Sequence, residues 1–234
     1  MERQNAILEI LADRKAISVE DLCALLYSSG ATVRRDLALL ESRGMLKRTH
    51  GGAVFLDGLA KDSPIMLRES ENIGPKELIA KQAVSFVKDG QTLFLDSSTT
   101  ACQLAARLNG FHNLRVITNG LKTAMLLSSI NGISVYSTGG RLRDNSLSFI
   151  GAQTLKFISQ FHADIAFFSC RGIHPIGGIT DSNEDEAEVK KCYLKNASSS
   201  ILLCDSSKIN RQLFCKICDL SDVNKILADT PLPF

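Results

Sequence analysis

Four consecutive hydroxyl side chains, Ser97-Ser98-Thr99-Thr100, follow the carboxylate of Asp96 and the apolar run Thr92–Leu95. Hydroxyls and backbone N–H groups at the opening of a helix make an anion receptor, because those N–H groups lack intrahelical acceptors and carry the positive end of the helix dipole. The same grammar recurs along the chain. Ile117 runs into Thr118-Asn119-Gly120, Tyr136 into Ser137-Thr138-Gly139-Gly140-Arg141, and Cys204 into Asp205-Ser206-Ser207-Lys208. One such loop alone reads more simply as capping or turn chemistry. Four of them, with cations at Arg141 and Lys208, point to a small phosphorylated ligand. The acidic run from Asp181 to Glu188 admits two readings. Asp181, Glu184, Asp185, Glu186 and Glu188 could supply a general base over a sugar carbon. They also fit the solvent-facing first turn of a helix that leads to Val189-Lys190-Lys191, with one ligand contact among them, and this is the expectation. Cys215-Lys216-Ile217-Cys218 is a lone CxxC where a zinc ribbon needs a second pair, so no metal and no cofactor are expected.

A different chemistry lies near the start of the chain. Between residues 31 and 56, Arg34, Arg35, Arg43, Lys47 and Arg48 stand against Asp36 and Glu41, a net +3 in a chain whose total is +2. A basic face confined to one short segment is the footprint of a polyanion partner.

The elements that must position these residues follow from periodicity. Ile7, Ile10 and Leu11 mark a first amphipathic helix. After a break at Ala16-Ile17, Ser18 caps a second, with Asp21 at the box position and Val19, Leu22, Leu25 and Leu26 as its stripe. Ser29 caps a third, in which Val33, Leu37 and Leu40 face inward, Thr32 and Arg35 face out, and Arg34 lies along the edge. Asp36 favours the helix dipole and can hold a neighbouring arginine. Gly44 ends that helix. Met45–Thr49 and Ala53–Leu56 then pair around His50-Gly51-Gly52, whose glycines supply the positive φ values of a tight hairpin. Two helices with outward Thr and Arg form a helix-turn-helix, its second helix entering the major groove. The hairpin is a wing on which Lys47, Arg48 and His50 grip phosphates.

Residues 57–75 mix Gly, Asp, Ser, Pro and charges and read as a linker. Beyond them strands at Thr92–Leu95, Leu114–Ile117, Ile133–Tyr136, Ile165–Phe168, Ile201–Cys204 and Val223–Leu227 alternate with helices over 77–87, 100–108, 120–129, 148–159 and 184–197. Such alternation predicts a mostly parallel sheet covered on both faces, with ligands beyond the carboxyl ends of its strands. The composition, 44% hydrophobic and 22% charged over 234 residues, is that of an ordinary globular protein. Seven irregularly spaced cysteines argue against a disulfide framework. With no leader and no long apolar span, the expectation is a reduced cytoplasm and no membrane.

Ser18-Val19-Glu20-Asp21-Leu22, Thr32-Val33-Arg34-Arg35-Asp36-Leu37 and Leu46-Lys47-Arg48-Thr49-His50-Gly51-Gly52-Ala53 resemble, in that order, the DeoR-type winged-helix signature of bacterial transcriptional regulators. The expected DNA contacts are thus Ser29, Thr32, Arg34, Arg35, Lys47, Arg48, His50, Gly51 and Gly52. The resemblance continues through Asp96–Thr100, Thr118-Asn119, Gly139-Gly140, Gly151 and Asp205–Lys208, which are similar to the DeoR-type sensor domain. It implies a fold like that of ribose-5-phosphate isomerase. It also implies that Ser97, Ser98, Thr99, Thr100 and Lys208 hold a phosphate, while Asp96, Asn119, Asp205, Glu186 and Lys190 meet sugar hydroxyls. Gly139 and Gly140 belong to the same expected site. In the winged-helix half, Tyr27 and Ser28 stand where a small and then an apolar residue are usual, and Gly30 where a better helix former is usual. In the sensor half, Ser98 stands where a glycine is common, and Arg171 where a small residue is common, either as an added anion contact or as partial filling of the site.

The expected fold class is therefore α/β, with a winged helix-turn-helix over 1–56, a linker over 57–75, and a mostly parallel effector-binding and oligomerisation domain over 76–234. The expected function is a cytoplasmic, non-enzymatic repressor of a sugar-metabolism operon, controlled by a phosphorylated sugar. Paired half-sites on double-stranded operator DNA call for a homodimer or homotetramer. The rival is an isomerase-like enzyme with an appended DNA-binding module. A third reading makes the larger domain an oligomerisation platform with a vestigial pocket.

Overall fold

Two units, Met1–Glu71 and Asn72–Phe234, divide the computed structural model, which describes residues 2–42, 45–54 and 64–234. The first unit comprises α1 (Glu2–Arg14), β1 (Ala16–Ser18), α2 (Val19–Leu26), α3 (Gly30–Ser42), β2 (Lys47–Arg48), β3 (Gly52–Val54) and α4 (Ile65–Ser70). Its core gathers Ile7, Leu8 and Leu11 of α1, Leu22 of α2, and Val33, Leu37 and Leu40 of α3. Each full burial of such a side chain contributes about 1.5–3 kcal/mol. Ile10 packs half-buried against this core as expected, Leu8 is buried in addition, and Leu25 stays 44% exposed, outside the stripe assigned to it.

The break at Ala16-Ile17 is itself a strand. β1 pairs antiparallel with β3, Ile17 opposite Ala53 and Ser18 opposite Gly52, so the wing is a three-stranded sheet ordered β1-β3-β2. This explains the glycines differently from a tight hairpin, since neither Gly51 nor Gly52 has positive φ. Gly52 is required because a Cβ there would strike the Ile17 carbonyl oxygen across the sheet. The Gly44 cap and the Phe55–Leu56 strand end lie outside the described residues, as do residues 57–63 of the expected linker. The described remainder of that linker is helical instead. α4 buries Ile65 and Leu67, and Leu67 joins the first core. Six residues are too few for a periodic signal, and only packing against α1 makes this helix stable.

The second unit opens with α5 (Ile73–Ala83), β4 (Thr92–Leu95), α6 (Thr99–Ala105), β5 (Leu114–Thr118), α7 (Leu121–Leu127) and β6 (Ile133–Ser137). It continues through β7 (Arg141–Arg143), β8 (Ser148–Ile150), α8 (Ala152–Ile158), β9 (Ala163–Ser169), β10 (Gly172–His174) and β11 (Gly178–Asp181). α9 (Glu184–Lys195), β12 (Ala197–Cys204), β13 (Cys215–Cys218) and β14 (Lys225–Ala228) complete it. The main sheet is six-stranded, in order β14-β12-β9-β4-β5-β6, and every pairing in it is parallel. Both faces are covered. Leu93 and Leu95 of β4 enter one core with Ile79, Val116, Phe167 and Leu203, while Phe94 between them enters another with Ile117, Ala166 and Tyr193. Alternate residues pointing to two buried faces is why these strands read as continuous apolar runs.

Two small antiparallel sheets, β7-β8 and β10-β11-β13, were not expected. The helix assigned to 148–159 begins only at Ala152. Gly151, at φ 92, separates it from β8, whose Ser148 pairs with Arg143. Cys215 and Cys218 are half-buried on β13, and all seven cysteines are unbridged.

Candidate functional site

In the first unit, α3 is capped by Ser29, whose hydroxyl accepts the Thr32 backbone N–H at 3.3 Å and lies 2.9 Å from the Thr32 hydroxyl. Behind this cap Val33 and Leu37 turn inward, leaving Arg34 and Arg35 exposed side by side. The Arg34 guanidinium folds back over Gly30, where an added Cβ would lie 3.1 Å from Nη1. A glycine that begins the helix poorly thus leaves room for the arginine.

Asp36 does not serve those arginines. It is buried and accepts hydrogen bonds from Arg3 Nε at 2.6 Å and Gln4 Nε2 at 3.0 Å, clamping α3 to α1. Burial pushes its carboxyl up, but the two hydrogen bonds and the Arg3 charge outweigh burial and hold it below the usual carboxylate range. A depressed folded pKa contributes stability that is present above the unfolded value of about 3.9 and is lost as pH falls through the folded one. Asp36→Asn is therefore expected to destabilise the α1–α3 packing by about 1–2 kcal/mol at neutral pH, discounted for the half-exposed Arg3. The deficit should shrink as acid protonates Asp36. Amide exchange of residues 2–42 at pH 7 and pH 3 measures this, and an equal deficit at both would remove the clamp.

On the wing, the Arg48 backbone N–H donates to Glu41 Oε1 at 2.8 Å, and its guanidinium lies 3.8 Å from the same carboxylate. Glu41 thereby anchors the outer edge of β2 to α3. Lys47, Arg48, His50 and Gly51 are exposed, whereas Gly52 is buried in the sheet. Gly52 is thus a structural member of the set, and the others form the accessible face.

In the second unit the strand order reverses between β4 and β9. The chain moves outward through β5 and β6 on one side and through β12 and β14 on the other. In a parallel sheet such a reversal opens a crevice at the carboxyl ends. The buried Asp96 carboxylate bridges the two strand ends at this point. Its oxygens accept the Ser98 N–H at 3.1 Å and the Ser169 N–H at 2.9 Å, joining the β4 end to the β9 end. Burial lifts this carboxyl above the usual range in spite of Lys190 4.0 Å away and those N–H donors. Ser98 has φ −71 and caps α6 by accepting the Ala101 N–H at 3.1 Å, so no glycine is needed there. Thr99 is buried beside it. Thr100 is buried too, with a hydroxyl oxygen that has no partner among the described residues.

Lys190 of α9 is buried between Asp181, to which it is closely hydrogen-bonded, and Asp96. Burial penalises both charges of the pair, and their attraction overcomes it, leaving Asp181 below and Lys190 above the usual values. Arg171 is half-buried and adds positive charge near Asp181. Glu186 is buried under hydroxyls: Ser146 donates at 2.7 Å, Ser148 also donates to Oε1, and Ser97 donates to Oε2 at 3.3 Å, with Arg143 at 3.9 Å. Asn119 is held from below, its N–H donating to the Tyr193 hydroxyl at 2.9 Å and its Nδ2 to the Phe149 carbonyl at 3.2 Å. Gly139 and Gly140, at φ 62 and 108, make a turn against α8, where a Cβ on Gly140 would strike the Thr154 hydroxyl. After β12, Asp205 pairs with Lys208 Nζ at 2.9 Å, and Lys208 also donates to Ser169 Oγ at 2.9 Å.

All thirteen residues expected in the second unit's site lie at or beyond the carboxyl edge of the sheet or on α9 over it. Sequence reasoning missed Ser169, although Phe168 running into Ser169-Cys170-Arg171 follows the same pattern as the loops that it did use. It also missed the hydroxyls of Ser146 and Ser148, the Tyr193 hydroxyl, and Lys76 of α5. Those residues carry no local signal, because only the fold brings them to the site.

Two family models match the chain: a DeoR-like helix-turn-helix domain over residues 3–58 and a DeoR C terminal sensor domain over residues 71–230. The chain is 39% identical to an uncharacterized HTH-type transcriptional regulator, YulB, of Bacillus subtilis (strain 168), over 99% of its own length and 89% of that protein's. It is 38% identical to the HTH-type transcriptional regulator GolR of Listeria innocua, over 99% and 91%. It is 32% identical to the glycerol-3-phosphate regulon repressor of Escherichia coli (strain K12), over 99% and 92%. Among solved structures, eIF2B delta from Chaetomium thermophilum aligns with a TM-score of 0.51 at 15% identity, over 70% of this chain and 59% of that one, a likeness of fold alone. A helix-turn-helix unit and an α/β sensor unit, each matched along its length, make this chain a member of the DeoR family of transcriptional regulators.

Proposed function

We propose that the protein represses an operon for the use of a sugar, and that a phosphorylated sugar bound at the carboxyl edge of the six-stranded sheet sets its operator affinity. The observation that carries this reading is the convergence, at the β4/β9 reversal, of hydroxyl-rich loops with two lysines, Lys190 and Lys208, each already balanced by aspartate. Ser97, Ser98, Thr99 and Thr100 with Lys208 hold the phosphate, and Arg171 adds positive field. Asp96, Asn119, Glu186, Lys190 and Asp205 meet the sugar, with Gly139 and Gly140 shaping one wall. On the DNA side, Ser29, Thr32, Arg34 and Arg35 face the major groove, and Lys47, Arg48, His50 and Gly51 face the backbone. The regulator acts in the cytoplasm as a homodimer or homotetramer, since one winged helix covers only one half-site. The glycerol-3-phosphate regulon repressor, by its name, belongs to a regulon of a phosphorylated small polyol, and this supports the ligand class.

Lys208→Ala tests the assignment. Loss of a charge-assisted contact to a dianion costs about 1.5–3 kcal/mol, or roughly 10- to 150-fold in affinity. Thermal shift with a panel of hexose, pentose and glycerol monophosphates should show a response in the wild type that the unphosphorylated sugars lack and that Lys208→Ala loses. Operator binding should persist in the variant. Equal responses of both proteins would place the phosphate elsewhere, and turnover of any panel member would favour the isomerase-like alternative.

A further inference from the structure

The chain passes from the first unit to the second between Glu71 and Asn72. On one side, α4 is fixed by Leu67 in the first core. On the other, α5 is fixed by Ile79, Ala80 and Ala83 beneath the sheet. Only Glu71 and Asn72 separate the two helices.

Asn72 is unusual in two ways. Its backbone is left-handed, at φ 53 and ψ 40, a conformation that costs a non-glycine residue about 1 kcal/mol and that asparagine tolerates best. Its side chain makes no cap on α5, although an asparagine at that position ordinarily turns its oxygen onto its own helix. Instead Nδ2 donates to Ser207 Oγ at 3.2 Å and to Asp205 Oδ1 at 3.5 Å, across more than 130 residues of sequence. One turn further along α5, Lys76 is buried and its charge also reaches Asp205. The junction is thus fastened to the loop that carries Lys208, and to the carboxylate that neutralises Lys208.

We propose that Asn72 is a positioning residue that couples anion occupancy of the Asp205–Lys208 loop to α4 of the DNA-binding unit. The coupling rests on the reading of that loop as an effector contact. An arriving phosphate competes with Asp205 for Lys208 and repels the carboxylate, which is the acceptor that Asn72 holds. A ligand shifts an equilibrium only through contacts that differ between two states, and here the differing contact sits at the chain's crossing point. With Glu71 as the only intervening residue, a displaced Asn72 passes its movement to the end of α4.

Asn72→Gly isolates the amide, because glycine adopts the left-handed backbone without penalty and removes only the side chain. In the full-length protein, operator affinity is measured with a duplex selected from random DNA by the wild type, with and without the most stabilising sugar monophosphate of the panel. The variant should bind the duplex and the monophosphate with affinities within about threefold of wild type. The effector-induced change in operator affinity, about 5- to 150-fold in typical coupled systems, should fall to within about twofold of unity. An undiminished change in Asn72→Gly overturns the proposal. A wild type that binds no sugar monophosphate would defeat the effector reading instead, and amide exchange then decides the latch. Faster exchange at residues 206–209 in Asn72→Gly supports it, and a change confined to the first turn of α5 overturns it.

Discussion

Lys190→Met is expected to destabilise the sensor unit by about 3–5 kcal/mol, because it leaves buried carboxylates without their cation. Lys190 is closely bonded to Asp181 and lies 4.0 Å from Asp96, and all three side chains are buried. Methionine matches the stem of lysine, so lost packing contributes little and the effect reports charge. The sign of its pH dependence follows. Without the ammonium, burial dominates both aspartates and raises their pKa values, so the deficit grows as pH rises and shrinks as acid protonates them. A second substitution, Asp181→Asn, on the Lys190→Met background should recover part of the loss. Denaturant midpoints for wild type, single and double variants at pH 5 and pH 8 give the complete cycle. A loss below about 1 kcal/mol at pH 8 would mean that water or rearrangement solvates the carboxylates and that the cluster is not closed.

Arg34→Ala and Arg35→Ala are each expected to weaken operator binding by about 1–3 kcal/mol, roughly 5- to 150-fold, with little effect on folding. Both side chains are exposed, and the α3 residues that build the core are Val33, Leu37 and Leu40. The losses should fall on the selected duplex and spare random DNA, because a base contact discriminates while a phosphate contact does not. Lys47→Ala and Arg48→Ala should behave in the opposite manner. They should weaken binding to both duplexes alike and reduce the slope of log affinity against log salt by about one. The slope change should be smaller for Arg48, whose guanidinium already lies 3.8 Å from Glu41. Titrations of both duplexes at several salt concentrations separate the classes. Retention of full discrimination by both α3 variants would remove that helix from the groove.

Local chemistry made much of this legible. Ser18 and Ser29 cap the helices that their positions imply, because a cap depends on residues within three positions of itself. The four inner strands of the main sheet were readable because burial on both faces leaves an apolar run no longer than the strand, and the edge strands β6 and β14 kept enough apolar residues to be read beside them. What failed locally failed for a stated reason. β1 looked like a break because three residues carry no period, and its identity depends on β3, more than thirty residues away. The need for Gly52 was visible, but its cause was not. A positive φ is a property of the residue itself, whereas the approach of the Ile17 carbonyl belongs to the sheet.

The site divides along the same line. By itself the sequence determined which residue types stand at the strand ends, the basic character of the first unit, and the alternation that requires a parallel sheet. Those properties are set by neighbours in the chain and by hydrophobic period. Only the tertiary structure decided that Asp96 ties β4 to β9, that Lys190 is shared between Asp181 and Asp96, and that Glu186 lies under the hydroxyls of Ser97, Ser146 and Ser148. It alone turned Asp36 away from its neighbouring arginines toward Arg3 and brought Asn72 to Asp205. The reason is physical: a buried polar group takes whichever partner the packed chain places within about 3 Å, and sequence distance has no part in that choice.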